Sequence, residues 1–294
     1  MESHHYQPVP TDALLACLRT LLQQELNSVN NENYLLPTLF LLCAFLRSKK
    51  IESNSEGLRV HVWPEDSFPI GAGLGSSGAF CVALSGALAC YIGLKDMERI
   101  NSYAFAAEVV THGTPSGVDN TISTFGGTLV YQKSPKVEYK KQSNYLSPFR
   151  FLIVNTGVSR STKAVVNGVY EAHQADRVSF NGRFMAIQDI VDEFLQLALD
   201  EKLTDVSIAN LFRRNQVILD QIGVGHSKID RVISVLEKYQ IGSKLTGAGA
   251  GGCVVGILPE MLTQVDLLSV MEAITAEKFQ CFVSTIGGKG LIFE

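Results

Sequence analysis

The sequence predicts an α+β protein made of two domains. A length of 294 residues is enough for two domains of ordinary size, each with its own core. Helical and strand-like stretches occur in both halves, with glycine-rich loops between them. A hydrophobic content of 46% with 18% charged residues is typical of globular rather than disordered proteins. We therefore expect one domain over residues 1–147 and a second over residues 148–294.

Charge and cysteine usage narrow the class of protein. A net charge of −4 gives no electrostatic reason to expect nucleic acid or an acidic membrane as a partner. The six cysteines form no C-x-x-C pair, which favours buried reduced thiols over zinc ligands or disulfides. The first ten residues lack the basic-then-apolar order of a signal peptide, and the apolar run 35–46 is too short to span a membrane. We expect a cytoplasmic protein.

The first half predicts helices with a small amount of strand. Leucines recur at helical spacing after Thr11, and Asp96 is a suitable N-cap. The predicted helices cover residues 13–26, 34–47, 80–91, 96–111 and 115–125. Residues 57–63 alternate apolar and polar side chains, which predicts a strand, and residues 128–132 and 137–141 predict a hairpin.

The second half begins with an apolar stretch, residues 149–155, that predicts a buried strand. Residues 161–239 are rich in helical patterns, with predicted breaks at Asn181-Gly182 and at residues 223–225. The remaining predicted elements are strands over residues 243–246, 253–258, 281–285 and 290–293, and a helix over residues 261–278.

The most informative stretch is residues 69–80, in which four glycines within residues 71–78 lead into an apolar helix. Such a loop directs backbone N–H groups and the positive end of the helix dipole towards one point, which suits a phosphate. Ser76 and Ser77 stand where a hydroxyl can cap the helix or bind Mg²⁺. A plain glycine-rich turn with a serine N-cap is the alternative interpretation.

Other nucleotide and hydrolase motifs do not fit. Two stretches match G-x-G-x-x-G, at Gly73 and at Gly247, but neither lies in a strand–loop–helix unit that leads to a second parallel strand, so we reject a dinucleotide site. The sequence has no G-x-x-x-x-G-K-[ST], which excludes a P-loop, and no G-x-S-x-G around any serine.

Two carboxylates are candidates for catalysis. Glu108 lies among apolar residues, and Asp119 lies on the first turn of a short helix. Phosphoryl transfer needs a metal ligand and a separate carboxylate near the attacking hydroxyl, and these two residues fit that division. Alternatively, Glu108 is a solvated helix residue, and Asp119 is an acid that is stabilised by the helix dipole. We interpret His112 as structural and leave it out of the chemistry.

Three segments together carry a resemblance: residues 69–79, 112–120 and 243–253. They resemble signature regions of the GHMP small-molecule kinases, most closely those of the mevalonate kinase family. The glycine-serine loop fits galactokinases or homoserine kinases nearly as well, whereas His-Gly-Thr-Pro-Ser-Gly-Val-Asp-Asn at residues 112–120 is the discriminating segment. The last segment matches the closing loop of the family, with Ala250 where glycine is common.

This resemblance implies a fold and an activity. The family fold is a ribosomal protein S5 domain 2-like N-terminal domain followed by a ferredoxin-like C-terminal domain. The implied reaction is MgATP-dependent phosphorylation of the primary hydroxyl of mevalonate to 5-phosphomevalonate, in isoprenoid and sterol biosynthesis. The implied partners are ATP and mevalonate, with a homodimer as the expected assembly.

The resemblance also implies roles for individual residues. Asp119 is the expected proton acceptor, Ser77 and Glu108 hold Mg²⁺, and Ser116 with Asp119 binds substrate. The expected ATP-binding residues are Gly71, Ala72, Gly73, Leu74, Gly75, Ser76 and Ser77. The expected closing loop, packed beside the phosphate loop, contains Thr246, Gly247, Ala248 and Gly249.

The sequence departs from the family at its start. Family members open with a strand and a P-G-K…G-E-H region whose lysine lies at the active site, and this sequence has no such segment. We therefore expect an N-terminal domain that lacks its first strands, and a 294-residue chain that folds poorly and has little activity alone. A non-catalytic GHMP-fold binding or regulatory protein remains the alternative.

Overall fold

A computed structural model of the chain describes residues 8–25, 32–49, 58–64, 69–132, 138–142, 144–159 and 161–293. The chain divides into two compact units. The first unit contains Met1–Phe68, Gly75–Ser143 and Gly288–Glu294, and the second contains Pro69–Leu74 and Asn144–Gly287. The domain limits given above, 1–147 and 148–294, stay a prediction.

The first unit is mostly helical. Its helices are α1 (Asp12–Glu25), α2 (Glu32–Lys49), α3 (Ser76–Ile92), α4 (Met97–His112) and α5 (Val118–Phe125). Its strands β1 (Thr128–Gln132) and β2 (Glu138–Gln142) pair antiparallel. The helices and the hairpin that the sequence predicts here are confirmed.

The core of the first unit lies between α1, α2, α3 and α4. At its centre the rings of Phe45 and Tyr103 stack with centroids 4.1 Å apart, and both side chains are buried. The last described segment of the chain packs onto the same helices. Leu291 donates its N–H to the carbonyl of Thr124 at 3.0 Å and lies against Gly86, where an added Cβ would stand 2.8 Å from the leucine methyls.

The second unit has a four-stranded antiparallel sheet with helices. In chain order its elements are β3 (Arg150–Asn155), α6 (Thr162–Ala175), α7 (Arg177–Leu199), α8 (Asp205–Gln221), α9 (Ser227–Glu237), β4 (Ser243–Leu245), β5 (Cys253–Ile257), α10 (Gln264–Ala276) and β6 (Gln280–Thr285). The strands lie in the order β4-β5-β3-β6. A β-α-β-β-α-β chain with this strand order is ferredoxin-like, so the predicted α+β class and ferredoxin-like second domain are confirmed.

Both faces of this sheet are covered. Leu152 and Val154 of β3 pack on one side with α9 and α10, and Phe151 and Ile153 pack on the other. Side chains alternate between faces along a strand, so a strand that is buried on both sides reads as a continuous apolar run. This explains why residues 150–155 could be recognised as a buried strand from the sequence.

Two predicted strands are wrong. Residues 58–64 have no regular structure, and residue 57 lies outside the described residues. Residues 290–293 also form no strand, and the nearest pairing is a single bridge between Gly126 and Lys289. A strand exists only through ladder bonds to a neighbour, and neither described sheet includes these segments. The alternation of apolar and polar residues in the sequence does not show whether a neighbouring strand is present to pair with.

The predicted break at Asn181-Gly182 is also wrong, because both residues lie inside α7. A glycine in a helix interior costs only about 1 kcal/mol relative to alanine. Phe180 and Ile190, buried on the same helix, offset that cost by packing. The helix instead begins after Asp176, whose side chain accepts the N–H of Ser179 at 3.1 Å.

The buried thiols expected from the sequence are found only in part. Cys81 and Cys253 are buried, whereas Cys17, Cys43 and Cys90 are exposed. All six cysteines are free thiols in the structure. Within the described ranges, every helix is too short or too polar to cross a membrane.

Tyr103→Phe should stabilise the first unit. The Tyr103 hydroxyl is buried and has no hydrogen-bond partner in the described part of the chain. Removing an unsatisfied polar group recovers its desolvation cost, so we expect the free energy of unfolding to rise by about 1 kcal/mol. Urea denaturation measures the change. Phe45→Ala, in the same ring stack, is the control and should cost about 3–5 kcal/mol through a cavity. A less stable Tyr103→Phe variant would contradict this reading.

Candidate active site

The glycine loop ends at the N-terminus of α3. Gly75 is the N-cap in the left-handed conformation, with φ of 75°, and no side chain caps the helix. The first helical bond runs from the Ala79 N–H to the Gly75 carbonyl at 2.9 Å. Ser76 and Ser77 therefore lie inside the first turn, and the serine N-cap considered as an alternative is wrong. An N-terminus of this kind presents its first-turn amides to an anion.

The preceding part of the loop is held by its non-glycine residues. Gly71 and Gly73 have φ of 75° and 83°, values that residues with a side chain rarely adopt. Ala72 and Leu74 alternate with them and pack in the second unit on the sheet face that contains Phe151. The glycines make the turns, and the two apolar side chains fix the loop to the sheet.

Glu108 lies one turn before the end of α4 and is 4% exposed. Its carboxylate accepts the hydroxyl of Ser77, and the thiol of Cys81 lies 3.7 Å from the same oxygen. A buried carboxylate is costly unless it is hydrogen-bonded or paired with a cation. The interpretation of Glu108 as a solvated helix residue is therefore wrong, because the α4 face that carries it packs into the core.

His112 belongs to the same cluster, although the sequence analysis left it out. Its Nε2 lies 3.0 Å from the Ser77 hydroxyl oxygen and 3.8 Å from a carboxylate oxygen of Glu108. The signal that could have found it is spacing, because residues four apart on a helix share one face. A histidine one turn after a candidate metal ligand is thus brought to that ligand by the helix itself.

Asp119 lies on the first turn of α5 and against the first turn of α3. A Cβ added to Gly78 would stand 2.8 Å from Asp119 Cβ and 2.9 Å from Asn120 N, so only glycine fits there. A Cβ at Gly75 would stand 3.2 Å from an Asp119 carboxylate oxygen. Burial raises the pKa of Asp119 above its ordinary value, and the nearby His112 opposes this rise. The two helix N-termini are in close contact, with Asp119 between them.

Ser116 lies just before α5 and is exposed. Its hydroxyl oxygen accepts the Val118 N–H at 3.2 Å, and its carbonyl accepts the Tyr131 hydroxyl at 2.6 Å. Behind it, the side-chain amides of Asn120 and Asn101 are 2.6 Å apart and join α5 to α4. Because Ser116 is exposed, its hydroxyl, which accepts the Val118 N–H, can still donate its proton to a ligand.

The donor set at Ser77 and Glu108 fits a Mg²⁺ ion. Both groups offer oxygen atoms, the ligands that this hard cation prefers, and Mg²⁺ in kinases takes its other ligands from phosphates and water. No group of three or more His, Cys, Asp or Glu side chains with metal-site geometry occurs in the described ranges. With two oxygen donors from the protein, the remaining positions around a Mg²⁺ ion would be left to phosphates and water.

The closing loop belongs to the second unit. Gly247, Gly249 and Ala250 have positive φ values of 63°, 82° and 56°. Ala250 donates its N–H to the Val224 carbonyl at 2.7 Å, and a Cβ at Gly249 would collide with the same carbonyl. Ala250 thus adopts the left-handed conformation without being glycine. The packing of Thr246, Gly247, Ala248 and Gly249 beside the phosphate loop stays a prediction.

Two family descriptions match the chain. The GHMP kinases N terminal domain matches residues 39–127, and the GHMP kinases C terminal domain matches residues 187–265. The chain is similar to mevalonate kinase of Arabidopsis thaliana, at 39% identity over 76% of this chain, and spans 62% of the length of that relative.

Two further relatives are informative. The chain covers more of the length of the first, and the second was solved with a bound ligand. Mevalonate kinase of Dictyostelium discoideum is 33% identical over 92% of this chain and 74% of its own. The crystal structure of L. major mevalonate kinase in complex with R-mevalonate is 26% identical, with a TM-score of 0.63 over 72% of this chain and 66% of that one. These similarities and the two matched domains confirm the resemblance seen in the motifs. The chain belongs to the mevalonate kinase family of the GHMP kinases.

Proposed function

We propose that this protein transfers the γ-phosphoryl group of MgATP to the primary hydroxyl of mevalonate. The single observation that carries the proposal is the cluster at the start of α3, where the Ser77 hydroxyl bonds to the Glu108 carboxylate and Asp119 lies against Gly75 and Gly78. A phosphate-binding helix N-terminus, a metal-binding pair and a separate carboxylate are the parts that phosphoryl transfer requires.

The nucleotide is bound at the glycine loop. In this proposal the residues named above, 71–77, bind the phosphates of ATP through their backbone amides. Ser77 and Glu108 would hold Mg²⁺, which would supply positive charge against the phosphates. His112, whose Nε2 lies 3.0 Å from the Ser77 hydroxyl oxygen, would orient that hydroxyl as a ligand.

Asp119 accepts the proton of the substrate alcohol. The mevalonate oxygen forms a bond to the γ-phosphorus, the bond from that phosphorus to the β,γ-bridging oxygen breaks, and the hydroxyl proton moves to the Asp119 carboxylate. A carboxylate whose pKa is raised by burial is a better proton acceptor than an ordinary aspartate. Ser116, exposed beside α5, is placed in the proposal as a substrate contact.

The choice of mevalonate draws on the relatives. The L. major relative is described in complex with R-mevalonate, and the curated relatives are mevalonate kinases.

A cytoplasmic location is also part of the proposal, supported by six free thiols, and cell fractionation tests it. The homodimer stays a prediction, which analytical ultracentrifugation tests.

A coupled assay for ADP release tests the activity. When the chain is joined to the N-terminal segment that its family carries, we expect turnover with mevalonate and none with galactose or homoserine. The 294-residue chain alone is expected to have little activity. Turnover with one of the other alcohols and not with mevalonate would show that the substrate is wrong. If the completed chain binds MgATP by calorimetry yet turns over none of the three alcohols, the non-catalytic alternative is correct.

Asp119→Asn should lower kcat by about 10²–10⁴-fold, the usual contribution of a positioned proton acceptor. Binding of MgATP, measured by calorimetry, should change little, since the amide has nearly the same shape. Asp189→Asn, an exposed change on α7, is the control. A variant with near-normal kcat would show that Asp119 is only a structural residue of the helix terminus.

The same substitution should stabilise the fold at neutral pH. The pKa of Asp119 is raised in the folded chain, so its charge is disfavoured there once the pH exceeds the folded pKa. Below the unfolded pKa the carboxyl is protonated in both states and this cost disappears. In thermal melts, we expect Asp119→Asn to have a higher Tm than the unmodified chain at pH 7, and we expect this difference in Tm to shrink towards pH 3. A difference that does not change with pH would contradict this assignment.

Glu108→Gln should weaken binding of the metal ion rather than binding of the nucleotide. The amide keeps the volume of the buried side chain but loses the charge that favours Mg²⁺. We expect a higher Mg²⁺ concentration for half-maximal activity and weaker Mn²⁺ binding in the presence of nucleotide by electron paramagnetic resonance. Glu171→Gln, an exposed change on α6, is the control. Unchanged Mn²⁺ binding would rule out Glu108 as a ligand.

A further inference from the structure

The hairpin of the first unit presents two tyrosines on one face. Tyr131 of β1 is directly opposite Tyr139 of β2, and side chains of opposite residues lie on the same face of a sheet. Tyr131 donates its hydroxyl to the Ser116 carbonyl at 2.6 Å. Tyr139 donates its hydroxyl to the carboxylate of Glu98, in the first turn of α4, also at 2.6 Å. Two neighbouring phenols thus bond the hairpin to two different places on the helices.

The bond from Tyr131 reaches the chain where α5 begins. This helix has eight residues, a length that is marginal for a helix on its own. Its N-cap, Gly117, has a φ of 88° and no side chain that could hold the start of the helix. A Cβ added to Gly117 would stand 2.7 Å from the Tyr131 hydroxyl oxygen and 3.3 Å from the ring of Phe105. The phenol therefore packs directly on the N-cap residue of α5.

Asp119 follows this N-cap by two residues. Two contacts restrain the start of α5: Gly78 packs against Asp119, and the Tyr131 hydroxyl bonds to Ser116, the residue before the N-cap. All of these residues belong to the first unit. Ser116 and Asp119 are the two residues that the proposed function assigns to the substrate alcohol. Both are carried by the turn to which Tyr131 is bonded.

We propose that Tyr131 is a positioning residue for the substrate side of the site. This inference rests on the proposed function and adds to it a residue that acts through the backbone of Ser116. Without the Tyr131 hydroxyl the turn that carries Ser116 and Asp119 loses one of its restraints. Ser77, by contrast, keeps its own hydrogen bond to Glu108. Binding of mevalonate should therefore depend on Tyr131, and binding of MgATP should not.

Steady-state kinetics of Tyr131→Phe test the proposal, in the chain joined to the N-terminal segment that its family carries. Phenylalanine keeps the ring and removes only the hydroxyl, so the fold should be retained. We expect KM for mevalonate to rise by about 3- to 10-fold, as for loss of one hydrogen bond, and KM for MgATP to be unchanged. A smaller folded fraction alone would lower the apparent kcat and leave both KM values unchanged. Tyr139→Phe, on the opposite strand, is the matched control and should leave both KM values unchanged.

Hydrogen exchange gives a second measurement that does not require activity. The Thr121 N–H donates to the Gly117 carbonyl at 3.3 Å, in the first turn of α5. This amide should exchange faster in Tyr131→Phe than in the unmodified chain or in Tyr139→Phe, because the start of the helix opens more often. Substitution of Tyr131 by 4-aminophenylalanine keeps an N–H donor at the same place. It should restore both the KM for mevalonate and the slow exchange.

Other results would overturn the inference. An unchanged KM for mevalonate in Tyr131→Phe, an equal rise in the KM for MgATP, or an equal rise in Tyr139→Phe would exclude a role specific to the substrate side. A Tyr131→Phe chain that does not fold by circular dichroism would show a general structural role and would also overturn it. If the unmodified completed chain turns over no mevalonate, the proposed function itself fails. Equal exchange of the Thr121 amide in Tyr131→Phe and the unmodified chain would separately show that Tyr131 does not hold the start of α5.

Discussion

The hydrogen bond between Ser77 and Glu108 is the interaction on which the site depends. It joins the first turn of α3 to the last part of α4, and it satisfies a carboxylate that is almost completely buried. Because an unsatisfied buried carboxylate would be costly, this bond holds the first turn of α3 against α4. The first-turn amides of α3 are held in place by the same contact.

Close packing of helix ends positions the second carboxylate, Asp119. Gly78 lets the first turn of α5 contact the first turn of α3, which no residue with a Cβ would allow without displacing backbone. The amide pair of Asn101 and Asn120 joins α5 to α4, so three helices are held at one point. Asp119 is positioned by this packing, and the same packing raises its pKa through burial. Reactivity at this carboxylate is therefore a consequence of how tightly the helices approach.

In the second unit, residues of the glycine loop pack on the sheet. Because β3 is buried on both faces, something other than the helices α9 and α10 must cover its second side. Ala72 and Leu74 contribute to that cover together with α8, so residues of the glycine loop are also part of a hydrophobic core. Changes in that core would then be expected to alter the shape of the loop as well as the stability of the sheet.

The sequence by itself determined most helices, the hairpin and the order of the second unit's strands along the chain, and it singled out Ser77, Glu108 and Asp119 as candidates. These depend on local patterns: apolar spacing, capping residues and glycine-rich motifs. The tertiary structure alone decided that residues 58–64 form no strand, that α7 continues through Gly182, and that His112 lies beside Ser77. The physical reason is that strand pairing, the burial that offsets a helix glycine, and the approach of side chains from different helices are set by neighbours distant in sequence, which local patterns do not encode.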